Sequence, residues 1–450
     1  MSCLTCHSIA IPEPNGNFSK DIDAKTLEKS AQEGCEICLI LKEAISSYLN
    51  LDKVETAKMS IISEYNRETD RREPLVIKAP RPIEKEFEIY TTNVNTAKAC
   101  PALAVRGNIS IDSSSAESMQ LAKTWLDQCI EQHANKICPS GSKRLLPKRL
   151  IVVGDGAKKP WLYESTSNET GTYATLSYSW GGPSKFTTTL KNFDERKAGF
   201  ELSDCPKTIR EAIIITRALS INFLWIDALC IIQDSGPDWE VESSKMCSVY
   251  ENSLVTIAAT DSSSIDAGIF CSSFARTSTE VACNIGVRGT IFTRLARSRF
   301  GRAGSVHTAS GPNGFLGRTP KLSTRGWTLQ ELKLSPRLLL FSKNELGWMC
   351  QDSGACECDP DFRKLNPASG EMGQFATVEQ ADHARFAVSS GLNNSIVSWI
   401  DTVQAYSTRQ LSESADKLPA LSGLADKYGQ ILYGHYICGV WETSQLEVTA

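Results

Sequence analysis

At 450 residues the chain is long enough for about two to three domain-sized units. Its 41% hydrophobic and 22% charged residues are ordinary for a globular protein, and a net charge of −4, from 48 basic and 52 acidic side chains, gives no reason to expect nucleic-acid binding. No apolar run approaches the ~20 residues of a membrane helix; the best, Ile221 to Ile232, is broken by Asp227.

The opening Met-Ser-Cys-Leu-Thr-Cys-His has no basic segment followed by an apolar core, so no secretory signal is visible and the cytoplasm is the expected compartment. The sixteen cysteines are then better read as reduced thiols and metal ligands than as disulfides. In residues 1–60, Cys3-x-x-Cys6 and Cys35-x-x-Cys38 form two pairs with 28 residues between them. Two such knuckles complete a tetrahedral site of four thiolates, and zinc is the expected ion; the other reading is two unrelated pairs of small apolar side chains. Four protein ligands leave no open position, so such a metal serves folding. The second pair runs into a helix over Glu36 to Leu49.

Residues 61–172 read as a connecting region, with a strand at Glu86 to Thr91 and a helix from Ser113 to Asn135 that carries Leu121, Trp125 and Cys129 on one face. Cys129, His133 and Cys138 suggest a metal by their spacing but supply three ligands without a fourth, so a packed helix end is the simpler reading. A strand follows, Leu146 to Val153.

The core, 173–335, reads as strand, loop, helix, strand, loop, helix. Tyr173 to Ser177 is a strand that ends in a corner, Ser177-Tyr178-Ser179-Trp180-Gly181-Gly182. Thr208 and Glu211 form a capping box, and Ile209, Ala212, Ile213, Thr216 and Leu219 share one helical face. Phe223 to Ile226 is an apolar strand of the kind covered on both sides by helices, with Asp227 at its carboxyl end. Ligands of open α/β sheets bind beyond these ends, so the expected pocket is lined by Ser177, Tyr178, Ser179, Trp180, Asp227, Cys230, Gln233 and Asp234. Asp227 has an alternative role, capping the turn that follows. A helix over Trp239 to Asn252 carries Glu242 on its apolar stripe; this carboxylate is either an edge residue pairing with Lys245 or a group poised in a cleft. Residues 261–320, rich in Ser, Gly and Arg, read as a long surface insertion. Trp327 is most simply core, and Arg325 and Glu331 are candidates for an ion pair bracing the pocket. In the C-terminal extension, 336–450, Leu338 to Phe341 and Leu346 to Cys350 read as a hairpin, 359–390 as loop, and Ile396 to Tyr406 and Ala415 to Tyr428 as helices, the second interrupted by Pro419. Cys350, Cys356 and Cys358 are too irregularly spaced to suggest a metal.

Four phrases stand in order: Tyr173-Ala-Thr-Leu-Ser-Tyr-Ser-Trp-Gly181, Leu224-Trp-Ile-Asp-Ala-Leu-Cys-Ile-Ile-Gln-Asp234, Met246-x-x-x-Tyr250 and Arg325-Gly-Trp-Thr-Leu-Gln-Glu331. Together they resemble the fungal heterokaryon-incompatibility (HET) domain, a signalling module of non-self recognition and programmed cell death that works through a protein partner or self-association. That domain is similar in turn to the TIR domain. The resemblance therefore implies an α/β fold with a flavodoxin/TIR-like parallel sheet core, helices on both faces, a Cys-rich N-terminal segment and a mixed α+β C-terminal extension. Some TIR domains cleave NAD with one glutamate, which this resemblance places at Glu242, with Glu240 as second choice and Asp227 beside it. NAD would then lie against Ser177, Tyr178, Ser179, Trp180, Gly181, Cys230, Gln233 and Asp234. Three functions stay open: a signalling module without chemistry, an NAD-cleaving hydrolase, and a HET-like protein recruited to small-molecule metabolism. Neither a G-x-x-x-x-G-K-[ST] loop nor a G-x-G-x-x-G turn after a strand is present.

Overall fold

Burial alternates along Lys58–Ser63, with Met59, Ile61 and Ser63 turned inward, the period-two pattern of a half-covered strand. In the computed structural model this strand belongs to the first of two compact units, residues 1–111, 273–304 and 357–363. The structure describes residues 3, 5–6, 16–47, 58–66, 71–79, 86–133, 138–273, 276, 278–285, 287–295, 321–364, 394–432, 435–438 and 440–442. In the seven-stranded sheet of this unit, Phe18–Asp23, Lys58–Ser63, Leu75–Lys78, Glu86–Thr91, Val287–Leu295 and Thr279–Ile285 are neighbours in that order, and Ala104–Val105 adds to Glu86–Thr91. Helices Ala24–Gln32 and Glu36–Ser46 pack together and bury Leu27, Leu41 and Ile45 in one core with Met59, Ile77 and Phe87.

The reading of 261–320 as a long insertion at the surface needs correction in part. Thr279–Ile285 and Val287–Leu295 form an antiparallel hairpin whose second strand pairs with Glu86–Thr91. The Ser, Gly and Arg residues hide a period-two pattern in which Ile291 and Thr293 are buried. Residues 296–320 of that insertion, and 365–393 of the loop expected after 359, lie outside the described residues. Residues 61–172 contribute to both units, which divide at Ile111.

The second unit takes residues 112–272, 305–356 and 364–450. Its elements are α1 (Ala116–His133), β1 (Arg149–Val152), β2 (Trp161–Glu164), β3 (Tyr173–Ser177), α2 (Lys207–Ala218), β4 (Phe223–Trp225), α3 (Gly236–Ser244), α4 (Met246–Glu251), β5 (Val255–Ala259), α5 (Gly326–Leu334), β6 (Arg337–Phe341), β7 (Leu346–Cys350), β8 (Ser353–Cys356), α6 (Asn394–Ser407) and α7 (Pro419–Leu432). These eight strands are neighbours in the order β2-β1-β4-β3-β5-β6-β7-β8. Pairing is parallel from β4 through β3 and β5 to β6 and antiparallel outside that stretch, so the fold is mixed α/β. Every residue of β3, β5 and β6 is buried, as parallel strands require.

Local chemistry departs from expectation in three places. Thr208 and Glu211 do not cap α2; Thr208 Oγ1 donates to the Ser264 carbonyl at 3.1 Å, and Glu211 accepts from the Phe270 amide at 2.8 Å. The helix expected over Trp239 to Asn252 breaks at Lys245 into α3 and α4. Pro419 begins α7 rather than interrupting it, where its missing N–H leaves no bond unmade.

Buried Arg149 anchors α3 to the sheet: it pairs with Asp238 and donates to the Cys230 carbonyl at 2.7 Å. Burial opposes ionisation of Asp238, but Arg149 outweighs it and holds the carboxyl below its ordinary range. Arg149→Ala leaves Asp238 without its strongest partner, and urea denaturation should show a loss of about 3–5 kcal/mol.

Candidate functional site

The parallel strands deliver their carboxyl ends to one place. β3 ends at Ser177, and the corner after it is held tightly: Gly181 has φ +76°, and a Cβ there would stand 2.2 Å from Ser264 Cβ. Only glycine fits that approach. The corner aims the Trp180 indole, whose N–H donates to Asp227 Oδ2 at 2.8 Å, while the Ala228 amide donates to Oδ1 at 2.7 Å. Asp227 thus caps its turn and faces Trp180 at once. From α5, Glu331 reaches back to β3, and Ser177 Oγ donates to its Oε2 at 2.5 Å.

These groups face a cleft of about 560 Å³, within the range of small-molecule sites, roughly 300–1,000 Å³. Trp180, Trp239 and Trp327 give it aromatic walls, Tyr178 and Tyr250 lie on its lining, and Arg325 is a cation on the same lining. Burial pushes the Glu331 carboxyl up to about 7, with Ser177 and Arg325 pulling against it and the Asp227 charge adding to the rise. Burial also raises Asp227, opposed by Trp180, the Ala228 amide and Arg325. Both tyrosines are kept neutral by burial, their hydroxyls well above the ordinary range. The Tyr178 hydroxyl is buried and makes no hydrogen bond of normal geometry.

A family model described as Heterokaryon incompatibility protein (HET) matches residues 173–331. Residues 173–331 are a HET domain. No curated protein and no solved structure matches the chain.

Of the residues expected at the pocket of this HET domain, Tyr178, Trp180, Gly181, Asp227 and Gln233 line the cleft. Gln233 Nε2 donates to the Asp227 carbonyl at 3.0 Å and so braces the turn. Ser177 is buried behind the lining as the donor to Glu331, and Ser179 is buried too. Cys230 faces inward; burial pushes its thiol up to about 12 and leaves it inert. Asp234 turns to the Leu190 amide at 2.8 Å. Glu242 is 3% exposed, pairs with Lys245 at 3.2 Å and does not join the lining; Trp239, Ser243 and Met246 present that wall instead. Among the described residues, the carboxylates on the cleft are Asp227, Glu331 and Asp416.

Trp327 belongs to the cleft rather than the core, its indole donating to Asp416 Oδ2 at 2.9 Å. Arg325 and Glu331 make no direct ion pair among the described residues; the arginine acts through its field. Gln410, Leu411, Ser412 and Asp416 complete the lining from beyond the matched segment. The backbone carries them there: the Gln410 amide donates to the Thr324 carbonyl at 2.6 Å and the Gly326 amide to the Gln410 carbonyl at 2.8 Å. Nothing in the spacing of 406–425 signals this pairing.

In the first unit, Cys3, Cys6, Cys35 and Cys38 could hold a metal ion. Their sulfurs lie 3.8 Å (Cys3–Cys6), 3.5 Å (Cys3–Cys38) and 3.3 Å (Cys6–Cys35) apart. A tetrahedron with Zn–S bonds of about 2.3 Å has edges of about 3.8 Å, so the donor set fits. The Cys38 thiol beside it pulls the Cys6 thiol below its ordinary range, against the opposing effect of burial.

Glu331 has a pH signature. Its folded value of about 7 exceeds the ordinary 4.5, so its contribution to stability is complete below about pH 4.5 and is lost as pH rises through 7. Glu331→Gln removes that slope. Urea denaturation at pH 5 and pH 8 should show the variant gaining about 2.5 kcal/mol on the wild type between the two conditions; identical pH profiles would refute the assignment.

Proposed function

We propose that this protein is a signalling module of fungal non-self recognition whose cleft binds NAD or a related nucleotide and cleaves the nicotinamide–ribose bond. One observation carries the reading: an aromatic cleft, at the carboxyl ends of parallel strands, that holds two carboxyl groups raised by burial. The strand order supports it. Counted along the chain, the parallel strands lie second, first, third, fourth, which is the flavodoxin-like order of TIR domains, and ligands of such sheets sit where the order reverses.

In this reading the purine and nicotinamide rings stack on Trp180, Trp239 and Trp327, and Arg325 faces the pyrophosphate. Departure of nicotinamide develops an oxocarbenium-like ribose, ionised Glu331 stabilises that charge, and water adds to the anomeric carbon to give ADP-ribose and a proton; Asp227, fixed by Trp180, holds the second position. Glu331 takes the role expected of Glu242 because it faces the cleft while Glu242 faces Lys245. The product signal then acts through self-association or a protein partner in the cytoplasm, in the cell-death context usual for the family. Zinc in the four-cysteine cluster of the first unit stabilises the fold without entering the chemistry.

Incubation of the purified full chain with NAD, with nicotinamide followed by chromatography, tests the proposal. The wild type should release nicotinamide, Glu331→Gln should lower the rate about 10²–10³-fold, and Glu242→Ala should keep it within a few-fold. Loss in Glu242→Ala with retention in Glu331→Gln returns the role to Glu242. No release by the wild type, even when clustered, leaves the signalling module without this chemistry.

A further inference from the structure

We propose a second metal centre, in the second unit: a closed Cys₃His site made by Cys129, His133, Cys138 and Cys350 that takes a zinc-class divalent ion. Cys129 and His133 are one helical turn apart on α1, Cys138 follows the helix, and β7 brings Cys350 to the same point from 217 positions beyond His133. The local spacing supplied three ligands without a fourth, and the sheet supplies the fourth.

The geometry is that of a coordination shell. One donor atom from each of the four residues lies within 4.8 Å of all the others. His133 Nδ1 stands 3.5 Å from Cys350 Sγ and 3.9 Å from Cys138 Sγ. Around one tetrahedral zinc, sulfur and nitrogen donors are about 3.6 Å apart. All three cysteines are buried, at 0% (Cys129), 2% (Cys138) and 1% (Cys350) exposure, and none is in a disulfide.

The surroundings have features that buried thiols packing as small apolar groups do not need. The far nitrogen of the imidazole, Nε2, lies 3.6 Å from Asp352 Oδ2, the carboxylate–histidine pairing that orients metal-bound histidines. The Ser353 amide donates to Cys350 Sγ at 3.3 Å, and Arg337 Nε donates to Cys129 Sγ at 3.2 Å. Arg337 is 1% exposed, and its remaining bonds go to the Leu254 and Pro139 carbonyls; among the described residues it has no carboxylate partner. A buried guanidinium facing only neutral groups is strongly unfavourable. Three thiolates, a neutral imidazole and a divalent ion carry one net negative charge, which Arg337 neutralises. Thiolate and imidazole donors select zinc-class ions over magnesium or calcium, and four protein ligands leave no position for substrate. The centre fastens the end of α1 to the end of β7.

Zinc content of the full-length chain, purified in metal-free buffer and measured by plasma mass spectrometry, tests this. With both clusters filled the wild type should hold about two zinc ions per chain. Cys350→Ser and His133→Ala should each lower this by one, whereas His133→Cys, which converts the site to four thiolates, should keep both. Replacement of zinc by cobalt in Cys6→Ser/Cys38→Ser, which lacks the first cluster, should give the absorption of a tetrahedral thiolate-bound ion, lost on adding Cys350→Ser. A wild type whose zinc content is unchanged by Cys350→Ser, or a folded Cys6→Ser/Cys38→Ser chain that takes up neither zinc nor cobalt, overturns the proposal.

Discussion

Two carboxyl groups, Glu331 buried and Asp227 half-buried at the cleft, set the conditions that the second unit is built to meet. Burying such groups is unfavourable unless donors reach them. The donors come from different strands and loops: the Trp180 indole and the Ala228 amide for Asp227, the Ser177 hydroxyl for Glu331, with Arg325 acting on both. Each recognisable phrase of the sequence supplies either one of these acids or a group that stabilises it, which is a physical reason for the phrases to occur together. The tight corner at Gly181 follows from the same requirement, since it turns Trp180 back across the strand ends.

What was legible in the sequence follows the range of the interactions. Apolar runs identified β3, β4 and the β6–β7 hairpin because fully buried strands declare themselves by composition. The carboxyl-end rule then found the corner and Asp227 without any knowledge of tertiary contacts. Glu242 takes the first of its two readings, an edge residue paired with Lys245, a choice that helical periodicity alone does not make. The chain breaks at Lys245, and the wall of the cleft passes to Trp239, Ser243 and Met246. The Thr208–Glu211 pair misled because both side chains are recruited by the 264–270 loop, a partner that local spacing cannot reveal.

The cysteines teach the same lesson in two forms. Cys3, Cys6, Cys35 and Cys38 come as two short pairs, so their convergence is written in the spacing. Cys129, His133, Cys138 and Cys350 converge only after β7 has taken its place in the sheet, so the last of them carries no local signal. Arg337, the first residue of β6, is part of that second arrangement and looks like an ordinary strand-end charge until its surroundings are seen.

The far rim of the cleft lies outside the segment by which the family is recognised, since Gln410, Leu411, Ser412 and Asp416 follow residue 331. Inheritance and selectivity therefore have different borders in this molecule. Exchange of the matched segment alone between two relatives would transfer the floor of the hollow, with its acids, and leave the opposite bank behind. Drift in residues 410–416, between α6 and α7, can thus retune what is admitted while the family phrases stay untouched.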